Sequence, residues 1–198
     1  MRRYHMDSKE KSMETPNARA PIPAEISPGL LAALKRLEQF QARLSLEDIR
    51  GFHRSLRLGR ADFAPFWLFG DSQYRRNRIY ADDFCELLLL CWRSGQRSQI
   101  HNHRGSLCGV RVLQGVATET VFEETPAGLL ASRETRELAA GSLVINGDQD
   151  IHQIANQQDG DLVTLHLYSP PLRQMRLLGL EPQHGRPRLP DDCLEYQI

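Results

Sequence analysis

Apolar residues at helical spacing form the first patterned stretch of the chain, after a polar N-terminal segment. Leu30, Leu34 and Leu37 recur three or four residues apart, which places them on one face of an α-helix. Ser27 followed by Pro28 is typical of a helix start, because a serine hydroxyl accepts an unpaired backbone N–H and proline suits the first turn. The pattern therefore predicts a helix that begins here.

A second helix is predicted from Ser45, with Asp48 three residues further on in the arrangement of a capping box. Ile49 and Phe52 supply its apolar face. Gly59 is expected to end it, because glycine readily adopts the left-handed backbone of a helix C-terminus.

Beyond residue 73 the pattern changes to short apolar runs separated by Gly, Asn and Asp turns. These runs predict strands over 84–92, 107–113, 116–122, 142–146 and 162–168. Many short, closely spaced strands are typical of a β-sandwich or β-barrel. The predicted fold class is therefore mainly β, a barrel preceded by N-terminal α-helices.

The same patterns give the expected domain organisation. Residues 1–24 are polar and proline-rich and are expected to form a flexible tail, and 25–198 form a single domain. Within that domain the helical part covers about 27–58 and the barrel about 73–175. The proline-rich segment 176–198 is expected to be a surface strap.

Strand 162–168 has two different faces. Alternation puts leucine and valine on one face, and Thr164, His166 and Tyr168 on the other. The polar face could be a solvent-exposed stripe or a hydrogen-bonded relay inside the barrel. The closeness of His152 in the sequence favours the interior.

Composition and charge exclude several classes of protein. The 198 residues carry 25 Lys and Arg against 25 Asp and Glu, so a nucleic acid or an anionic membrane is not the expected partner. Four cysteines are too few for a disulfide scaffold, and no apolar run is long enough to cross a membrane. A reduced, cytoplasmic protein is expected; the sequence favours no oligomeric state, and a monomer is compatible with it.

His101-Asn102-His103 is the strongest chemical signal in the sequence. On a strand, residues two apart project to the same face, so two imidazoles would point into one cavity and offer two adjacent ligands to a divalent metal. The alternative is a pair of histidines near a turn. The flanking spacing favours the metal site, because Gly95, Cys108 and Gly115 stand where the first motif of the cupin superfamily has Gly, Glu and Gly.

A second match to the cupins follows in the expected order. Gly141, His152 and Asn156 fit the second cupin motif, which is degenerate at Gly147 and Gln149. His152 would be the third ligand. Three neutral imidazoles leave the charge of the ion uncompensated and so favour an anionic substrate group such as a thiolate, and ligand type alone fits Fe, Zn, Ni or Cu.

Further segments extend the match over roughly residues 27 to 175. They are Tyr74-Arg75-Arg76-Asn77, Leu90-Cys91-Trp92, the histidine pair with Cys108, and Leu165-His166-Leu167-Tyr168-Ser169-Pro170-Pro171. Together these segments resemble the cysteine dioxygenase family of thiol dioxygenases, of the bacterial type, within the cupin superfamily. The resemblance implies a cupin β-barrel, a small jelly roll.

The resemblance also implies the residue roles. His101, His103 and His152 would bind Fe(II), and Arg76 would hold the substrate carboxylate, with Tyr74 beside it. A planar guanidinium suits a carboxylate better than an ammonium would.

For the catalytic residues, Tyr168 matches the tyrosine that meets the substrate and dioxygen, and His166 matches the histidine that orients it. Thr164 stands where animal members have Ser, and Cys108 matches the cysteine that forms a thioether with the tyrosine in animal members. Ser169-Pro170 matches a cis peptide beside the pocket.

Some of these residues have a simpler interpretation without the resemblance. Arg76 lies in an arginine-rich run that would be a solvated face, and Cys108 could be an ordinary buried residue, as Cys85 and Cys91 are expected to be. His53 is expected to be a surface or helix residue and not a ligand.

The activity implied is the addition of both atoms of dioxygen to the sulfur of L-cysteine, giving cysteine sulfinate. Two alternatives remain open. One is a dioxygenase of another small thiol acid, 3-mercaptopropionate or mercaptosuccinate. Mercaptosuccinate has two carboxylates, and Arg75 and Arg104 could supply the second counter-charge. The other is a metal-binding cupin without enzymatic activity.

Overall fold

The computed structural model describes residues 26–126, 130–173 and 175–178. Its helices are α1 (Pro28–Leu37), α2 (Leu46–Ser55) and a short 3₁₀ helix (Arg60–Phe66). Its strands are β1 (Arg75–Ala81), β2 (Glu86–Trp92), β3 (Ile100–Asn102), β4 (Leu107–Gln114), β5 (Val116–Glu124), β6 (Leu130–Ala139), β7 (Leu143–Asn146), β8 (Ile151–Ala155), β9 (Leu162–Ser169) and β10 (Arg176–Leu178). The predicted tail, Cys193, and the part of the strap beyond Leu178 lie outside the described residues.

The strands form two antiparallel sheets, in the orders β1-β2-β9-β4-β7 and β10-β3-β8-β5-β6. Strands β2 to β9 reproduce the alternation of a jelly roll, in which consecutive strands cross between two facing four-stranded sheets. Strands β1 and β10 each extend one sheet at its edge. The prediction of a mainly β barrel of the jelly-roll type is confirmed.

Both helix starts follow from local hydrogen bonds. The Ser27 hydroxyl accepts the backbone N–H of Leu30 at 3.1 Å. The Ser45 hydroxyl accepts the N–H of Asp48 at 3.1 Å, and the Asp48 carboxylate accepts the N–H of Ser45 at 2.9 Å, which completes the capping box. The predicted end at Gly59 is wrong: α2 ends at Ser55 because the next residue already has an extended backbone.

The helices cover the outer face of the first sheet. Leu165 and Leu167 of β9 pack there in one core with Leu34 and Ile49 from the helices. Helix α2 approaches β4 so closely that a Cβ atom on Gly109 would collide with the Ile49 side chain and lie 2.9 Å from the His53 ring. The other face of this sheet is therefore free to line the space between the sheets.

Besides β3, which was considered only as the site of the histidine pair, four strands were not predicted, for recognisable reasons. Strand β1 is the arginine-rich run that looked like a solvated face, and β6 lies at a sheet edge and has no fully buried residue. Strands β8 and β10 are short and acquire their strand character from pairing with neighbours. Residues 176–178, expected to start the strap, instead pair with β3 as strand β10.

The remaining features concern single residues. The Ser169–Pro170 peptide bond is cis, as the resemblance implies. Cys85 and Cys91 are fully buried among apolar residues, and with Cys108 they are free thiols. His53 lies on α2 but is fully buried, so a surface position is wrong for it. No helix in the described ranges has the length and apolar character needed to span a membrane.

Candidate metal centre

Three histidines meet on the inner face of the second sheet. His101 on β3 stands directly opposite His152 on β8, and His103 follows at the end of β3. One ligand atom from each lies within 4.8 Å of the others, and the Nε2 atoms of His103 and His152 are 3.3 Å apart. This separation of the two Nε2 atoms suits ligands of one ion, because nitrogens that each lie about 2.1 Å from a tetrahedral metal are themselves a little over 3 Å apart.

The outer nitrogens of two of these rings are already occupied. His101 Nδ1 lies 2.8 Å from the carbonyl oxygen of Gln99, and His152 Nδ1 lies 2.8 Å from a carboxylate oxygen of Glu119. An acceptor at Nδ1 places the proton there and leaves the Nε2 lone pair free for a metal. The donor set therefore fits a divalent transition metal such as iron.

Burial keeps two of the ligands, His101 and His103, uncharged. The side chains of His101, His103 and His152 are almost inaccessible to solvent. Burial, reinforced by the neighbouring His152, lowers the pKa of His101 to about 3 and that of His103 well below its usual value. Neutral imidazoles are the form that binds metal, so these two ligands need no proton release to accept an ion at neutral pH.

Glu119 is the functional residue that the sequence prediction missed. Its side chain on β5 is 1% exposed and contacts both His152 and Arg136, whose Nη2 lies 2.8 Å from the carboxylate. Although burial opposes it, the hydrogen bonds from His152 and Arg136 hold the pKa of Glu119 below its usual value. The sequence contains one signal for it: alternation along β5 places the carboxylate of Glu119 on the same face as the apolar residues Ala117 and Val121.

A row of hydrogen-bonded polar side chains faces the histidines from the first sheet. Trp92 Nε1 donates to Thr164 Oγ1 at 3.0 Å, Thr164 Oγ1 lies 2.8 Å from His166 Nε2, and His166 Nδ1 lies 3.0 Å from the Tyr168 hydroxyl. All of these side chains are buried. They form a continuous hydrogen-bonded relay on the inner face of β9, and the alternation predicted for this strand is what the structure has.

Tyr168 ends the relay beside the metal ligands. Its ring centroid is 5.4 Å from that of His103. Cys108 stands directly opposite Tyr168 in the β4–β9 pairing, and the two side chains belong to the same buried cluster. Burial raises the pKa of both the Tyr168 phenol and the Cys108 thiol, so each is protonated at neutral pH.

The residues predicted to bind substrate lie along the same pocket. Tyr74 stacks on Trp92 with ring centroids 4.0 Å apart, and Arg76 donates a hydrogen bond to Tyr74. Arg76 Nε is buried without a hydrogen-bond partner among the described residues. Glu86, paired with Tyr168 across β2 and β9, likewise has a buried oxygen with no partner there. A guanidinium with an unused buried N–H is prepared for an anion.

A jelly-roll barrel that holds three buried, converging histidines and a buried phenol relay defines a metal-dependent enzyme of the cupin class. The family model for cysteine dioxygenase type I matches residues 22–179, and the chain belongs to this family. It is therefore an oxygenase, and its three-histidine site fits the iron on which the family depends.

Two cysteine dioxygenases agree with this assignment. Cysteine dioxygenase type 1 of Danio rerio is 29% identical over 159 residues, which cover 76% of this chain and 79% of the relative. Cysteine dioxygenase type 1 of Bos taurus is 30% identical over 154 residues, which cover 74% of this chain and 77% of the relative. The crystal structure of TT1209 from Thermus thermophilus is 18% identical, covers 56% of this chain and 95% of its own, and gives a TM-score of 0.48.

Proposed function

We propose that this chain adds both atoms of dioxygen to the sulfur of L-cysteine and releases cysteine sulfinate. The observation that carries this proposal is Arg76, whose buried, unpartnered Nε lies in the pocket formed with Tyr74 and the relay. A small thiol acid would bring its carboxylate to this guanidinium. The similarity to cysteine dioxygenase type 1 of several vertebrates supports L-cysteine as the substrate.

Fe(II) held by His101, His103 and His152 would supply a Lewis acid that keeps the substrate thiol deprotonated and a site at which the sulfur and dioxygen meet. Arg76 orients the substrate by a charge-assisted hydrogen bond to its carboxylate. The low exposure of all three ligands excludes bulk water.

The relay assigns a role to Tyr168. Its hydroxyl is held by His166, which is held in turn by Thr164, so the phenol is fixed without a reorganisation step. Because burial keeps it protonated, Tyr168 can donate a hydrogen bond to the reacting oxygen or to the carboxylate.

Mercaptosuccinate would need a second positive group for its second carboxylate, and the positions of Arg75 and Arg104 do not favour this. Arg75 precedes Arg76 on β1, is exposed, and projects to the opposite face of the strand. Arg104 is exposed and lies in a turn with a positive φ of 36°. Of these arginines in the described part of the chain, only Arg76 lies beside Tyr74 and Tyr168, which supports a substrate with one carboxylate.

A panel of small thiols tests the proposal. Protein loaded with Fe(II) is expected to consume dioxygen with L-cysteine faster than with 3-mercaptopropionate or mercaptosuccinate, and the product should be heavier than cysteine by two oxygen atoms. His152→Ala should lose most of its bound iron and all uptake, whereas His53→Gln, at a buried histidine outside the centre, should keep both. If no thiol supports dioxygen uptake, the proposal that the protein oxygenates small thiols is contradicted. If another thiol is consumed faster than L-cysteine, that thiol becomes the proposed substrate.

A further inference from the structure

We propose that Glu119, held by Arg136, is a positioning residue that makes His152 the strongest electron donor of the three ligands and thereby sets the metal affinity of the centre. The inference rests on the proposed function only in requiring that the three histidines bind a metal. It concerns a carboxylate and a guanidinium for which the family resemblance gave no role.

The carboxylate of Glu119 divides its two oxygens between two donors. Oε1 accepts from His152 Nδ1 at 2.8 Å, and Oε2 accepts from Arg136 Nε at 2.9 Å and lies 2.8 Å from Arg136 Nη2. Glu119 and Arg136 are also directly opposite each other in the β5–β6 pairing, so the backbone fixes their separation. The carboxylate therefore has one orientation, in which Oε1 is reserved for His152.

The three ligands differ in what lies behind them. His152 has a carboxylate, and His101 has the neutral carbonyl of Gln99 at 2.8 Å. His103 Nδ1 is buried and has no hydrogen-bond partner among the described residues. An anionic acceptor at the outer nitrogen pulls the proton away from the ring and raises the basicity of the inner nitrogen. Donor strength should therefore decrease from His152 to His101 to His103.

Arg136 does not cancel the charge that Glu119 presents to the ligand. The Glu119 side chain is 1% exposed, whereas that of Arg136 is 38% exposed. Water screens the guanidinium far more than it screens the buried carboxylate, so the field at His152 stays negative. This supplies part of the negative charge that three neutral imidazoles cannot give to a divalent ion.

The guanidinium is nevertheless needed, because an unpaired carboxylate at this depth would be costly to bury. Its two N–H groups on one oxygen also remove the freedom of the carboxylate to rotate away from His152. Lysine at this position would keep the charge but would provide a single contact that does not fix orientation.

A matched pair on the same strand provides the control. Glu124 of β5 forms an ion pair with Arg176 at 2.8 Å, but its side chain is 38% exposed and contacts no histidine in the described structure. Glu119→Gln and Glu124→Gln remove the same charge from the same strand. Only the first removes a charge from behind a metal ligand.

The experiment measures Fe(II) affinity by competition with a chelator, and the visible absorption of the Co(II)-substituted protein. Glu119→Gln should weaken Fe(II) binding by about 10- to 100-fold and shift the Co(II) bands, because an amide offers one acceptor to two donors and carries no charge. Arg136→Lys should weaken binding by a smaller factor, and Glu124→Gln should match the unmodified protein in both measurements.

The inference is overturned if Glu119→Gln folds, binds Fe(II) with an affinity within threefold of that of the unmodified protein, and has an unchanged Co(II) spectrum. If that variant does not fold, Arg136→Lys is decisive under the same criteria: weaker binding with shifted bands supports the inference, and unchanged values overturn it. Failure of the unmodified protein to bind either metal would instead contradict the proposed function, so the two failures are distinguishable.

Discussion

Cys108 and Tyr168 face each other directly across strands β4 and β9, and both are buried inside the barrel. A thiol is thus held against a phenol whose ring packs beside the ligand His103. Neither group ionises readily, because burial raises the pKa of both. A C–S bond between them would replace an S–H and a ring C–H bond, so its formation requires a two-electron oxidant.

We expect that turnover with dioxygen joins these two residues by a thioether. A C–S bond would form between Cys108 Sγ and the ring carbon beside the Tyr168 hydroxyl, the S–H and C–H hydrogens would leave, and dioxygen would accept the two electrons. Peptide mass spectrometry of protein after many turnovers should show a linked peptide pair lighter by two hydrogens. Cys91→Ser should retain the adduct and Cys108→Ser should lack it; unlinked peptides in fully active protein would contradict the expectation.

Thr164→Val should weaken the relay without altering its shape. The change leaves Trp92 Nε1 and one nitrogen of His166 without a partner, which costs about 1–3 kcal/mol for each buried group left unsatisfied. We expect a lower melting temperature and a kcat reduced by about tenfold or more, with a displaced pH profile and a nearly unchanged KM. Thr120→Val, at a partly exposed threonine of β5, is the control; an unchanged pH profile in Thr164→Val would mean that the relay is only structural.

Arg76→Gln should alter which thiols are used. Loss of a charge-assisted hydrogen bond of about 1.5–3 kcal/mol corresponds to a decrease of roughly 10- to 150-fold in kcat/KM for L-cysteine. Cysteamine, which has no carboxylate, should lose much less. Arg75→Gln, which changes the exposed neighbour, should leave both substrates unaffected; equal losses on both thiols in Arg76→Gln would remove its role in recognition.

His53 should make the protein less stable in mild acid. Burial lowers the pKa of His53 from 6.5 to about 4, even though its ring contacts the carbonyl oxygen of Gly109. Between these two pH values the unfolded chain binds a proton that the folded protein does not, so stability falls as the pH decreases through this window. The difference amounts to about 3 kcal/mol at most.

Denaturant unfolding of the unmodified protein and of His53→Gln at pH 7, 6, 5 and 4 measures this contribution. The difference in unfolding free energy between the two should change by up to that amount over the window and stay constant above it. Parallel curves for the two proteins would show that His53 does not titrate as described.

The helix starts and the histidine pair could be predicted from the sequence because each depends on residues close together in the chain. Ser45 and Asp48 complete their hydrogen bonds within one turn, and the spacing of two residues directs His101, on β3, and His103, just after it, to the same site. Glu119 could not be recognised in this way. Its role depends on the register of β5 against both β6 and β8, which brings together residues that are 17 and 33 positions away.

The missed strands have a related explanation. Strand β6 carries few apolar side chains because it lies at a sheet edge, so hydrophobic alternation cannot reveal it. Strand β1 is similar, and its arginines look like a solvated run until pairing with β2 directs Arg76 and its neighbours to opposite sides. Pairing partners, and not local composition, decide the structure of both segments.

Strand β9 carries the relay on one side and, on the other, the leucines against which the N-terminal helices pack. A shift of its pairing by one residue would turn the phenol toward the helices and a leucine toward the histidines. Docking of α1 and α2 on this sheet therefore does more than bury apolar surface: it selects the alignment of the catalytic strand. A chain whose helices fail to dock should lose catalytic competence before it loses its sheets.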